Sequence, residues 1–367
     1  MDWKASGRID SYEFEKIAIN NLSKSLGKIN GVIGGKLTFG YDTELKVSGT
    51  LDVVNTNFTN NCLIRVWYVV KANNAATAER IELCTCFAET SEMDYINGQW
   101  SGTINLRSVL ARYIDDQIPK NWMCAAYDKN KQKKRALDYF DTFVSWCGGV
   151  AVRSNVPNKK YEKNQVFEIG TSPMEVLQSI AKHVGGMITC DTHGRMVLKP
   201  KHTYKKNNSY YKMPSGSYSV TLPGLTYENS TAGTTNRYAV KFSYTPKGSK
   251  KEKTFWGLAK SASGYSSTSA GRWITQTETL NSMSPKTQKR IDEIAKQRLN
   301  ANDNITKYWK LKCFYLPLTD RCLEGKFVNF KYGNLDIDAR VWSVDMDLSL
   351  GGMLDVTLKE VWRHGSL

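Results

Sequence analysis

No stretch of this sequence approaches the roughly 18 consecutive apolar residues of a membrane helix. The longest unbroken apolar stretches, Trp122 to Tyr127 and Val66 to Val70, have strand length. Stable membrane insertion is therefore not expected. The opening MDWKASGRIDSYEFEK carries acids and lysine where a signal peptide would place a basic end followed by an apolar block, so export by the secretory route is not expected either. Histidine is scarce. The four residues, at 183, 193, 202 and 364, contain no i,i+4 pair and no H-E-x-x-H arrangement. The eight cysteines, at 62, 84, 86, 124, 147, 190, 313 and 322, are scattered, mostly in apolar runs. Cys84 and Cys86 lack the second pair that a zinc site would need. Neither a metal site nor a disulfide framework is expected, and no cofactor is implied. G-x-S-x-G is also missing, neither Cys147 nor Cys190 opens a helix beside a facing histidine, and no carboxylate stands apart from ordinary surface charge. No residue qualifies as catalytic, and the chain is not expected to be an enzyme.

Positive charge is abundant. Fifty-one basic residues against 35 acidic ones leave a net charge of +16, compatible with nucleic acid, an anionic cell surface or an acidic protein partner. Much of it is clustered between periodic segments, in KNKQKKR (129–135), KPKHTYKK (199–206) and KGSKKEK (247–253). These read either as solvated loops or as contacts for a polyanion or acidic partner through Lys131, Lys133, Lys134, Arg135, Lys205, Lys206, Lys250 and Lys251. Tyr204, Tyr210, Tyr211 and Tyr218 interleave with the second cluster, yet no basic helix face or RNP-like signature accompanies them, so sequence-specific DNA binding is not expected.

The periodicity predicts an α+β, mainly β chain. Residues 1–28 read as an N-terminal arm. From 29 to 150 the period is two, in segments such as Leu45 to Val53, CLIRVWYVV and Ile81 to Phe87, as expected of a first small antiparallel barrel or sandwich. Within it Val109, Leu110, Tyr113 and Ile114 predict a short helix before Pro119, and 120–150 a further strand pair around the Lys-rich stretch. Residues 151–215 hold a helix–hairpin domain. Ser172-Pro173-Met-Glu175 reads as a capping box with proline at the first helical position. Met174, Leu177, Ala181 and Val184, with Ile180 beside them, make the apolar stripe, and Gly185 ends the helix. MITC and RMVL flank Asp191-Thr-His-Gly194, a hairpin turn. Residues 216–304 predict strands, a Gly/Ser loop and a long helix opened by Ser284-Pro285, with Ile291, Ala295 and Leu299 on one face. Residues 305–367 alternate again as a second small barrel, turning at Gly351-Gly352. The domains can be discontinuous in sequence.

This order, together with Gly170, Ser172, Pro173, Val176, Leu177, Ile180, Ala181, Gly185 and the hairpin Asp191-x-x-Gly194-x-x-x-Leu198, resembles the central hub proteins of bacteriophage tail tips and baseplates. Gly325-x-x-Val328, Val341-x-x-Val344, Ser349-x-Gly351-Gly352 and Glu360-Val361 extend the resemblance over 305–362. It implies a structural virion protein, a homotrimeric ring that joins a sixfold tail tube to a threefold tip around the DNA exit channel. Implied partners are other copies of itself, distal tail or tube proteins, a tape-measure protein and spike or fibre proteins, with DNA passing without sequence-specific binding. Synthesis would be in the host cytoplasm and residence in the virion. The three basic clusters would lie mainly away from the lumen, because a strongly basic channel would retain a polyanion. The competing readings are a carbohydrate- or receptor-binding β-module, suggested by ten tryptophans and nineteen tyrosines, and a cell-wall hydrolase.

Overall fold

A computed structural model describes residues 8–56, 62–71, 77–128, 133–205, 208–213, 221–230, 235–246, 251–261, 271–280, 283–302 and 306–361. They divide into two compact units. The first comprises Met1–Leu225 and Lys310–Val361, and the second is built on Thr226–Trp309.

The first unit opens with β1 (Ile9–Ala18), β2 (Asn21–Lys28), β3 (Val32–Gly40), β4 (Val47–Thr56), β5 (Leu63–Lys71), β6 (Glu79–Ile96) and β7 (Gln99–Ser108). Then follow helix α1 (Ala111–Ile114), β8 (Trp122–Cys124), helix α2 (Ala136–Trp146), β9 (Ala151–Arg153), β10 (Gln165–Phe167), helix α3 (Pro173–Val184), β11 (Gly186–Cys190), β12 (Met196–Pro200), β13 (Tyr211–Met213) and β14 (Thr221–Ser230). The second unit contributes β15 (Arg237–Tyr244), β16 (Lys253–Lys260), β17 (Thr275–Leu280) and helix α4 (Gln288–Asn302). Strand β18 (Thr306–Cys313) returns the chain to the first unit, which closes with helix α5 (Thr319–Glu324), β19 (Phe327–Tyr332), β20 (Leu335–Asp347) and β21 (Leu354–Glu360).

Alternation and β-branched content make the large sheet. Its order is β14-β18-β21-β20-β3-β4-β7-β6-β5-β1-β2, with β13 and β19 branching from β20. The mainly β, α+β class read from the sequence is the one observed, and no closed barrel occurs among the described residues. The segments expected as a first and a second barrel are hydrogen-bonded into one sheet, and the leading arm belongs to it too, β1 pairing with β5 along nine residues. The junction is β20. Its first half pairs with β19 (Phe327↔Arg340 to Tyr332↔Leu335) and its second half with β3 (Ser343↔Gly40 to Asp347↔Lys36), while β21 runs along the other side. A register shift between Val341 and Ser343 lets one strand serve both partners. Burial records it: Ile337, Ala339 and Val341 are buried, then Val344 and Met346, because one extra residue moves the following side chains to the opposite parity.

Residues 120–150 depart from the expected strand pair. Trp122–Cys124 forms a short strand that pairs with β10, and ALDYFDTFVSW forms α2. Tyr139, Phe140, Thr142, Phe143 and Val144 have strand-like propensity. Yet Leu137, Phe140, Phe143 and Val144 recur at helical spacing and all are buried, so tertiary packing decides. Helix α5 was likewise not legible as a helix within the alternating final segment. In the second unit α4 begins at Gln288 rather than at Pro285, and Thr287 Oγ1 accepts from the Arg290 N–H at 3.3 Å. Its stripe Ile291, Ala295 and Leu299 packs with Tyr238, Val240, Phe242 and Ala259 of the small sheet β16-β15-β17. Burying each large apolar side chain contributes about 1.5–3 kcal/mol.

Candidate functional site

The most constrained polar constellation lies at the tip of the β11–β12 hairpin, where a turn from Asp191 to Arg195 meets strands β5 and β6. The turn is closed by Asp191, whose carboxylate accepts from the Arg195 backbone N–H at 2.8 Å and from Arg195 Nε at 2.6 Å. Gly194 sits at φ +83°, and a Cβ there would lie 3.1 Å from Val109 and 3.2 Å from Thr85. Only glycine combines the left-handed backbone with so close an approach. Thr85 Oγ1 donates to the Thr192 carbonyl at 2.8 Å. His193 Nδ1 is 2.8 Å from Glu82 Oε2, and Arg65 Nε is 3.1 Å from Glu82 Oε1. Arg65 also donates to Thr85 Oγ1 at 3.0 Å and to the Leu22 carbonyl at 2.9 Å.

Arg65 and Glu82 have side chains only 10% and 7% exposed. Burial raises the Glu82 carboxyl above its ordinary value, and the charges of Arg65 and His193 oppose that rise. The group holds the hairpin to the sheet. Sequence reading missed it because Arg65 and Glu82 look like ordinary outward positions on strands. The one available signal was their placement inside the apolar runs CLIRVWYVV and RIELCTC, where an outward charge would interrupt a face buried on both sides.

The flank of the same hairpin is fastened separately. Thr189 Oγ1 donates to the Leu323 carbonyl at 3.0 Å and Lys199 Nζ to the same oxygen at 3.4 Å, tying β11 and β12 to α5. Burial pushes the Lys199 ammonium down to about 8, against the opposing pull of Glu324. Helix α3 backs this arrangement. Ser172 caps it, but the Oγ accepts from Met174 N at 3.2 Å, one residue earlier than a capping box requires, while donating to the Tyr113 carbonyl at 3.0 Å. The serine thus also ties α3 to α1. Pro173 occupies the first helical turn, Glu175 is exposed there, and Gly185 ends the helix at φ +78°.

Burial pushes the thiols of Cys124 and Cys147 up to about 11 and those of Cys190, Cys313 and Cys322 to about 12, which suppresses the reactive thiolate at neutral pH. Cys84, Cys86, Cys124, Cys147, Cys190, Cys313 and Cys322 form no disulfide. A cavity of about 730 Å³ opens beside α3 and β11, lined by Asp42, Glu44, Lys46, Lys182 and Lys201 among others. Its charges are mixed, and Lys46 Nζ is already donated to the Tyr41 carbonyl.

Neither a family model nor a curated protein matches the chain at the level of sequence. Solved structures do match. A tail protein from Neisseria meningitidis superposes with a TM-score of 0.64 at 12% identity, covering 95% of this chain and 97% of its own. The 43 kDa tail protein of prophage MuSo2 from Shewanella oneidensis gives 0.58 at 12% identity, over 95% and 98%. The chain has the fold of prophage tail proteins. The Francisella PdpA–VgrG complex is also similar, with a TM-score of 0.56 at 10% identity, over 99% of this chain and 60% of the other.

Within this tail-protein fold the residues singled out by sequence fall in different places. Ser172, Pro173, Glu175, Gly185 and Gly194 share the helix–hairpin, whereas Gly351 and Gly352 turn the chain between β20 and β21, the Gly352 N–H donating to the Ser349 carbonyl at 3.0 Å. Of the basic residues, Lys133 and Lys134 are exposed ahead of α2, Lys134 Nζ standing 6.0 Å from the Tyr139 ring, and Arg135 lies 5.6 Å from that of Tyr127. Lys205 is exposed, its backbone N–H donating to Tyr210 Oη at 2.8 Å. Lys251 is exposed in the second unit. Lys131, Lys206 and Lys250, with Tyr218 and most of the Gly/Ser stretch, lie outside the described residues. Among the described residues no helix is long and apolar enough to cross a membrane.

Proposed function

We propose that this chain is a structural virion protein, the central hub of a phage tail tip or baseplate, with no catalytic role. Three copies form a ring that matches a sixfold tube on one side to a threefold tip on the other and surrounds the channel through which DNA leaves. Its partners are its own copies, distal tube proteins, a tape-measure protein and a spike or fibre. It is made in the host cytoplasm and resides in the virion.

The observation that carries this reading is end-to-end correspondence. Two tail proteins are matched over 97% and 98% of their own lengths by 95% of this chain. The hairpin clamp supports it as well: a buried ion pair and a close-packed turn fix a shape. Light scattering and native mass spectrometry, alone and with co-expressed tail partners, test the proposal. A species of three copies is expected, with a ring visible by electron microscopy. A stable monomer under both conditions, or release of fragments from purified cell wall by the protein, would overturn it.

A further inference from the structure

The small sheet of the second unit is covered on one face by α4 and displays a different chemistry on the other. Tyr238, Val240, Phe242 and Ala259 point to the helix. Alternation therefore sends Arg237, Ala239 and Lys241 of β15 the other way, together with Trp256, Leu258 and Lys260 of β16, their direct cross-strand partners. Trp256 is 60% exposed, Leu258 54% and the neighbouring Trp273 43%. Lys241 Nζ lies 5.4 Å from the Trp256 ring centre, and Arg237 and Lys260 lie 5.0 and 5.5 Å from that of Trp273. On β17, Thr275, Thr277 and Thr279 share the face, in register with Arg237, Ala239 and Lys241. The one acid in the three strands, Glu278, is in register with Val240 on the helix side and pairs with Arg298.

Two features call for a ligand. Arg237 and Lys260 stand directly opposite one another, an arrangement of like charges that destabilises a sheet unless something answers it. Among the described residues neither they nor Lys241 forms an ion pair, and Arg237 Nε is satisfied only by Thr275 Oγ1 at 2.7 Å. Large apolar rings are meanwhile left open between the cations, where burial against a partner would recover their contribution.

We propose that this face binds a sugar or polyol polymer carrying phosphodiesters. The guanidinium and two ammonium groups match phosphates, the tryptophans match the apolar C–H faces of the repeating unit, and the row of threonine hydroxyls, each able to donate and accept, matches a polyhydroxyl chain. A second copy of the chain fits less well. Three strands are about 14 Å wide and roughly 25 Å long, well under the ~800 Å² per partner of a stable interface. A single-stranded nucleic acid would use the cations and rings but has little need of the hydroxyl row. The proposal goes beyond the hub reading and does not rest on it: mass in solution reports on assembly, and polymer binding reports on this face.

The full-length protein is titrated with poly(glycerol phosphate), neutral dextran and oligo(dT), as the wild type and as the variants Lys241→Gln/Lys260→Gln and Trp256→Ala. All three side chains lie outside the core, and wild-type melting temperatures confirm folding. Salt-sensitive binding to poly(glycerol phosphate), weakened about tenfold by the double substitution and about fivefold by the tryptophan substitution, is the expected result. Absence of binding, equal binding of dextran, variants that bind like the wild type, or tighter binding of oligo(dT) would each overturn it. So would loss of self-association in the variants, which would make the face a contact between copies.

Discussion

Replacing Arg65 by Met asks whether the hairpin tip is held by a compensated charge or by packing alone. The substitution keeps an apolar side chain of similar volume but leaves Glu82, 7% exposed, with the half-exposed His193 as its charged partner and the Thr85 hydroxyl 3.5 Å away. Breaking a buried ion pair in this way costs about 3–5 kcal/mol, which for a domain of this size lowers the melting temperature by roughly 6–20 °C. Because Glu82 already titrates above its ordinary value, losing Arg65 raises it further. The folded state then binds more protons than the unfolded one over a wider window, so the variant's deficit grows as pH rises from the ordinary carboxylate range towards neutrality. The deficit should be larger at pH 7.5 than at pH 5. In Arg65→Met/Glu82→Gln the uncompensated charge is gone, and the loss should shrink to about 1–2 kcal/mol, a coupling of roughly 2 kcal/mol or more. Thermal melts of the wild type, both single variants and the double variant close the cycle, and hydrogen exchange of residues 191–195 reports on the tip directly. Additive losses, or a single-variant loss below about 1 kcal/mol at both pH values, would refute the reasoning.

Lys199→Met should stabilise the protein at pH 7 by about 1–3 kcal/mol, the relieved cost of a buried ammonium less the lost hydrogen bond to Leu323. Because the folded value of Lys199 is depressed to about 8, the wild type regains stability as pH rises from there towards the unfolded value, and the advantage of the variant should fade by about pH 10.5 in paired urea titrations. Gly194→Ala should cost about 1–3 kcal/mol, since the new Cβ meets Val109 and Thr85 and φ is positive; a melt within error of the wild type would contradict the close docking of the turn. Ile291→Ala, which empties a fully buried position between α4 and its sheet, should cost about 2–5 kcal/mol by chemical denaturation.

How much of this was legible in the sequence follows from the range of the forces involved. The helix over 173–184 was readable because its serine cap, proline start, apolar stripe and glycine stop all lie within a dozen residues and agree. The Asp191–Gly194 turn and the stripe of Ile291, Ala295 and Leu299 were readable for the same reason. Helix α2 was misread where local preference and periodicity conflicted: its aromatic and β-branched residues favour a strand, while the burial of Leu137, Phe140, Phe143 and Val144 follows a helical period. The clamp of Arg65, Glu82, Thr85 and His193 was not legible at all, since it joins residues more than a hundred positions apart and depends on which strand covers which.

The sequence by itself determined the elements whose signals are local, such as the 173–184 helix and the Asp191–Gly194 turn, together with the predominance of strands and the left-handed turns at Gly185 and Gly194, because these depend on short-range sterics and spacing. Only the tertiary structure decided that the opening and closing β-segments share one sheet. The pairing of β3 beside β19 on a single thirteen-residue strand depends on a shift at Trp342, and a shift of one residue is written in the hydrogen-bond register between distant segments, not in the composition of either.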